Sequence, residues 1–113
     1  MAPSGRTRVR TVVDMDLVFK ALADPARRSL LEVLSQKEHF CTLDGELVDG
    51  ICVQDLTHIL DMPQSTISRH LSMLSQAGLV GHQQRGVWHY YFIHPDALRA
   101  IERWIHSIQS GER

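Results

Sequence analysis

The chain is short of several features at once, and each shortage removes a class of protein. No apolar run approaches the roughly 20 residues that a helix needs to cross a bilayer. The opening MAPSGRTRVR lacks the apolar stretch of a secretion signal. A cytoplasmic protein with no membrane partner is expected. Only two cysteines occur, Cys41 and Cys52, and in a reducing compartment they are not expected to form a permanent disulfide. Seven histidines are many for so short a chain, yet they are scattered at 39, 58, 70, 82, 89, 94 and 106 with no HxxxH or CxxC pair. Metal binding stays open without a spacing motif to carry it. There is no nucleotide-binding glycine loop, and although Ser68 and His70 are close in sequence, no third group orients them. The chain is not expected to be an enzyme.

Charge of one sign is also missing over two spans. Lys and Arg are absent between Lys37 and Arg69, where Glu38, Asp44, Glu46, Asp49, Asp55 and Asp61 all fall. Asp and Glu are absent between Asp61 and Asp96. The net charge of −1 hides this division, and the distribution says more about partners than the sum does. A surface meeting a polyanion has to be local: the 62–95 segment, together with an N-terminal arm made basic by Arg6, Arg8 and Arg10. With 113 residues and 43% apolar content, one small domain with a modest core is expected. Residues 1–11 read as a flexible arm and 12–110 as the domain.

The most informative stretch is CVQDLTHILDMPQSTISRHLSMLSQAGLV, from Cys52 to Val80. Val53, Leu56, Ile59 and Leu60 recur at the spacing of a helix with one buried face, and Ile67, Leu71 and Leu74 repeat the pattern after Met62-Pro63. Pro63 suits a first helical turn, with Asp61 as its cap. Gly78 stops the second helix. Two short helices around a tight turn make a helix-turn-helix. Opposite the apolar stripe of the second helix stand Gln64, Ser65, Ser68, Arg69 and Ser72. Such donors and acceptors read base edges or hold phosphates, whereas an ordinary solvated face mixes Glu and Lys.

Elsewhere, Val13, Leu17, Val18 and Leu22 predict a first helix over 12–22. Asp24-Pro25 then caps and starts a second helix, buried through Leu30, Leu31 and Leu34. Arg27 and Arg28 are expected on its exposed side, reaching phosphates or only water. Residues 36–51 are irregular, with Asp44-Gly45 between apolar residues signalling a small hairpin or ordered loop. Leu79–Gln84 and Val87–Ile93 read as a second hairpin, rich in aromatic and β-branched residues, with Arg85-Gly86 between them. A hairpin directly after a recognition helix is a wing, and Arg85 can enter a minor groove or meet a phosphate from it. A last helix follows His94-Pro95-Asp96. Its stripe of Leu98, Ile101, Ile105 and Ile108, with Trp104 beside it, is too apolar to stay exposed. It is expected to pack on the first helix and on the same helix of a second copy. The architecture expected is mainly α with a β-hairpin wing: a winged helix-turn-helix of about five helices, homodimeric through its first and last helices. Its recognition helices would be set about 34 Å apart on a palindromic site.

With these elements in place, the chain resembles the ArsR/SmtB family of winged-helix regulators over residues 15–108. The resemblance rests on ALADPARRSLLEVL (21–34), QSTISRHLSMLSQAGLV (64–80) and GVWHYYFI (86–93). It implies a homodimer that represses an operon and releases it when an inducer binds. Double-stranded DNA contacts carried onto matching positions fall on Gln64, Ser65, Thr66, Ser68, Arg69, His70 and Arg85. For the inducer it implies two kinds of site. A Cys-x-Cys thiolate site is half matched, by Cys52, with Gln54 in the second place; Cys41 and His39 are further ligand candidates. A site that bridges the last helices of the two subunits is matched in reversed order by His94 and Asp96, with Glu102 and His106 further along. His94, Asp96 and His106 are the metal ligands expected, and imidazole with carboxylate suits nickel, zinc or cobalt.

Two other readings compete with a metal-switched repressor. One is a thiol or redox switch through Cys41 and Cys52, which requires them within bridging distance. The other is a winged helix that docks a regulatory partner protein, favoured by the near-neutral net charge and the acidic 38–61 stretch.

Overall fold

The computed structural model describes residues 13–43 and 45–111, so the basic arm over 1–11 and the hairpin residue Asp44 lie outside the described residues. Helix α1 (Met15–Leu22) starts where the Asp14 carboxylate accepts from the amides of Asp16 and Leu17 at 3.0 and 3.3 Å. Helix α2 (Pro25–Leu34) starts on Asp24, whose side chain accepts from the Ala26 amide at 2.8 Å, with Pro25 in the first turn. This is the arrangement Asp-Pro predicts, because the amide that proline lacks has no partner inside a helix.

A 3₁₀ turn (Lys37–His39) leads to a two-stranded hairpin of β1 (Thr42–Leu43) and β2 (Glu46–Leu47), paired Thr42 to Leu47 and Leu43 to Glu46. Strand β3 (Ile51–Cys52) runs directly into α3 (Val53–Leu60). Then come α4 (Gln64–Gln76), the wing strands β4 (Val80–Arg85) and β5 (Trp88–Ile93), and α5 (Pro95–Ser110). Strand β5 is central in an antiparallel sheet ordered β3-β5-β4. Among the described residues no helix is long and apolar enough to cross a membrane.

One continuous core joins the helices to the root of the wing. Val18, Leu30, Leu34, Ile51, Leu56, Ile67, Leu71, Leu74 and Leu79 are fully buried in it. The helix-turn-helix stripes supply Leu56 from α3 and Ile67, Leu71 and Leu74 from α4. Burying side chains of this size contributes about 1.5–3 kcal/mol each, so these contacts dominate the fold.

The structure corrects the expected details in four places. Strand β3 was not foreseen, because a two-residue strand has no periodicity to read; pairing with Tyr91 and Tyr90 of β5 makes it. Gly50, just before it, has φ +131 and a Cβ there would fall 2.6 Å from the Tyr91 carbonyl oxygen, so only glycine lets the chain pass. In the turn between α3 and α4, Asp61 ends α3 in the left-handed conformation (φ 54) instead of capping α4, and Pro63 is the residue before α4 rather than within it. Ile59 faces outward, 38% exposed, because Leu56 alone points at the core from that helix while Val53 and Leu60 flank it. Arg27, expected in solvent or on phosphates, is buried.

Candidate nucleic-acid interface and thiol cluster

The position of α4 is held from beneath. Arg27 donates from Nε to the Ala21 carbonyl at 2.7 Å and from Nη2 to the Lys20 carbonyl at 3.1 Å. It thereby caps the C-terminal end of α1, where carbonyls lack partners inside the helix. Its Nη1 is 3.2 Å from the Met73 sulfur, 3.4 Å from His70 Nδ1 and 3.5 Å from Asp24 Oδ2. One guanidinium therefore ties α1, the start of α2 and the inner side of α4 together. The Asp24 carboxyl is held below its ordinary pKa, chiefly by the Ala26 amide; burial opposes this, and the Arg27 charge lowers it further.

Above this staple, Gln64, Ser65, Ser68, Arg69 and Ser72 are exposed along α4, and Thr66 and His70 are half-buried at its margins. No side chain caps the first turn of α4, so its positive end is presented together with Gln64 and Ser65. Gly78 closes the far end at φ 76, and the Leu79 amide returns to the Leu74 carbonyl at 2.9 Å. That turn feeds β4. Arg85 is exposed as the last residue of β4, opposite Trp88, and Gly86 and Val87 form the tip. On the wing, His82 stacks on Tyr91 with ring centres 5.2 Å apart and lies 5.9 Å from His89.

The expected metal ligands are divided. His94 and Asp96 flank the start of α5 and line a cavity of about 320 Å³ with Asp14, Ser75 and Gln76, and Asp96 pairs with Arg99 at 3.5 Å. His106 lies with Glu102 and Arg103 further along α5, about 15 Å from Asp96 at the helical rise of ~1.5 Å per residue. One chain does not bring the three together.

Cys41 and Cys52, by contrast, are neighbours. Their sulfurs and a carboxylate oxygen of Asp55 all lie within 4.8 Å of one another, the only such group of three found among the described residues. The Cys41 thiol donates to Asp55 Oδ2 at 3.3 Å. Cys52, with Val48 and Tyr90, forms a small buried cluster against which Cys41 packs. Asp55 was missed as a partner in the sequence; the signal was its place one helical turn after Cys52. Both cysteines are free thiols. Burial pushes the Cys41 thiol up to about 12, with Asp55 and Cys52 beside it adding to the rise. Because the thiolate is the nucleophile, alkylation of Cys41 by iodoacetamide is expected to be slow at neutral pH. It should accelerate roughly tenfold per pH unit well into the alkaline range. Peptide mass mapping after timed labelling checks this, and fast labelling at neutral pH would contradict it.

An exposed polar recognition helix, an adjoining wing and an acid-free flank define a winged helix-turn-helix DNA-binding regulator. The family profile described as "Bacterial regulatory protein, arsR family" matches residues 51–81. Over 103 residues the chain is 33% identical to the "Arsenic resistance transcriptional regulator ArsR1" of Pseudomonas putida, covering 91% of this chain and 69% of that one. An uncharacterised helix-turn-helix transcriptional regulator of Methanocaldococcus jannaschii is 31% identical over 91 residues, 80% of this chain and 90% of that one. Among solved structures, an ArsR-like transcriptional regulator from a Rhodococcus species superposes with a TM-score of 0.69 at 23% identity, covering 86% of this chain and 78% of that one. The homodimeric winged helix-turn-helix domain Mb0332 of Mycobacterium bovis does so with 0.60 at 25% identity, covering 87% and 82%. The chain belongs to the ArsR family of bacterial DNA-binding transcriptional regulators, which is not a family of enzymes.

Proposed function

We propose that this chain is a cytoplasmic, homodimeric repressor. It reads a palindromic operator through Gln64, Ser65, Thr66, Ser68, Arg69 and His70 of α4 and Arg85 of the wing, and an effector releases it. The observation that carries the reading is the outward face of α4. Its exposed residues are short hydroxyls, an amide and one guanidinium, in a segment with no acidic residue from 62 to 95. Such a surface neutralises phosphates and reads bases with little repulsion. Dimerisation is supported by Leu17, Phe19, Trp104, Ile105 and Ile108, which lie 37–47% exposed on α1 and α5. Phe19 and Trp104 meet edge to face at 5.2 Å between them. The folding unit is taken as 12–110, with the basic arm over 1–11 as a further phosphate contact.

Operator binding is expected to weaken steeply between low and moderate salt, because each neutralised phosphate releases a counterion. Arg69→Ala should cost about 1–3 kcal/mol of operator affinity and leave the far-ultraviolet circular dichroism and the dimer mass unchanged. Fluorescence anisotropy on a fragment from upstream of the protein's own gene measures both. Salt-insensitive binding, or unfolding of the variant, would sink the assignment.

For the effector, relatives named for arsenic and cadmium resistance support a metal. Nickel, zinc or cobalt on His94, Asp96 and His106 would require the partner's α5 to run alongside in the opposite direction. A thiol switch through Cys41 and Cys52 has their proximity in its favour. No observation favours a partner protein over DNA.

A further inference from the structure

We propose that His82 and His89, on one face of the wing, form a two-imidazole site for nickel(II) or copper(II), and that the bound ion tightens binding to DNA. The first half stands on the geometry of the wing alone. The second rests on the repressor reading above, and its sense is opposite to release by an effector.

Strand register makes the pair. His82 of β4 lies opposite Tyr91 of β5, and Gln84 lies opposite His89. Alternate residues of a strand share a face, so these four side chains stand on the same side of the hairpin. His82 and His89 are diagonal neighbours across the two strands, with ring centres 5.9 Å apart. Two imidazoles on one ion place their ring centres about 4.5–6 Å apart, given metal–nitrogen bonds of about 2.0–2.1 Å. Rotation about the side-chain bonds is all that closure needs.

Neighbours on the same face prepare the pair. Tyr91 is half-buried and packs on the main core. The His82 ring stacks on it at 5.2 Å with the planes 25° apart. That contact restricts one ligand before an ion arrives, much as an outer-shell partner orients a metal-bound histidine. The Gln84 side chain is drawn toward the tip, where its Nε2 donates to the Gly86 carbonyl at 3.0 Å. Both histidines are exposed, so water can fill the remaining positions around the ion. The alternative account is a pair of solvated strand residues. It covers His82, whose stacking on Tyr91 supports the sheet by itself. It gives no part to His89, which is exposed and yet holds the diagonal place beside His82.

The donors narrow the choice of ion. Neutral imidazole suits nickel, copper and zinc, whereas magnesium and calcium need oxygen ligands. The wing from 80 to 93 carries no Asp, Glu or Cys, so no carboxylate or thiolate of its own alters that preference. The same lack leaves the ion's charge uncompensated. An ion adds two positive charges to a hairpin in which Arg85 is the one Lys or Arg. His89 adjoins Trp88, the pairing partner of Arg85, so the ion sits on the order of 10 Å from the Arg85 backbone at a strand rise of ~3.3 Å per residue. That is about the Debye length at physiological salt, and a phosphate meeting Arg85 feels the added charge.

The test uses the reduced full-length protein and nickel(II), because copper(II) oxidises free thiols such as Cys41 and Cys52. Substoichiometric nickel, being paramagnetic, should broaden the imidazole proton resonances of His82 and His89 before those of the other histidines. His82→Gln and His89→Gln are each expected to lower this affinity roughly 100-fold, as losing one arm of a two-point contact does. Both positions are exposed, so thermal unfolding should not change. Cys41→Ser and His106→Ala should match wild type. Earlier broadening of other histidines, or equal nickel affinity in wild type and both glutamine variants, overturns the site. So does loss of the effect in Cys41→Ser or His106→Ala, because it assigns the ion to those residues. For the second half, operator affinity is read by anisotropy in His106→Ala, in which the proposed α5 ligand set is broken. Saturating nickel should raise it roughly 3–10-fold and steepen its salt dependence, and should do neither once His82→Gln is added. Unchanged or weaker binding overturns the regulatory half. Failure of the nickel-free protein to bind any operator fragment overturns the repressor reading and leaves the nickel result standing.

Discussion

Replacing Ile105 with glutamate is expected to convert the proposed dimer into a monomer and to lower affinity for a palindromic operator roughly 10²–10⁴-fold. Ile105 is 43% exposed in the single chain, with Trp104 at 42% and Ile108 at 47% beside it. Contiguous apolar surface of this kind on a small protein marks an interface. A carboxylate placed there costs little in the isolated chain, because water reaches it. In a two-fold interface it meets its own copy, desolvated and unpaired. The loss at the operator follows from geometry. Two recognition helices about 34 Å apart engage two half-sites at once, and a monomer loses the high effective concentration that links the second contact to the first. Sedimentation velocity reads the mass and anisotropy reads the affinity. A variant that stays dimeric would move the interface away from α5.

The second large effect is expected at Arg27. Arg27→Ala should destabilise the protein by about 2–4 kcal/mol, because two helix-end carbonyls lose charge-assisted donors in a place from which water is excluded. For a domain of this size that corresponds to a fall in Tm of roughly 10–20 °C. Arg27 is 8% exposed and bonds the carbonyls of Lys20 and Ala21 while lying against Met73 and His70 of α4. Arg27→Lys should recover only part of the loss, since a single ammonium cannot reach two carbonyls and a sulfur in the directions a planar fork does. The operator affinity of both variants should fall with no DNA contact removed, because the staple sets how α4 sits on α1 and α2. Thermal unfolding by circular dichroism decides it, and an unchanged Tm in Arg27→Ala would show that the guanidinium contributes nothing.

Much of the architecture is readable along the chain because its causes are local. The Asp24-Pro25 start of α2, the Gly78 stop of α4 and the Ile67, Leu71 and Leu74 stripe each act within a few residues. The structure agrees with all three. The wing is similarly legible, through the aromatic run of β5 and the glycine at its tip. Legibility fails where a partner is distant. Nothing near Arg27 in sequence marks it as buried, since the carbonyls it meets end a different helix and the sulfur is 46 positions away. Strand β3 exists only because β5 passes beside it. The resemblance sets His94, Asp96 and His106 between two copies of α5, and within one chain the rise of that helix holds His106 apart from the other two.

The thiol group shows the same division most sharply. Composition and spacing were enough to identify a winged helix-turn-helix with a polar recognition face, because helical period, capping and charge distribution are properties of neighbouring residues. They offered Cys41, within the irregular 36–51 stretch, and Cys52, just after it, as a thiol pair or as ligands without fixing whether the two meet. Folding the hairpin back over the start of α3 is what brings both sulfurs to the Asp55 carboxylate. Backbone pairing at Gly50 and packing against Tyr90 govern that fold-back, and both partners lie outside the reach of any local pattern.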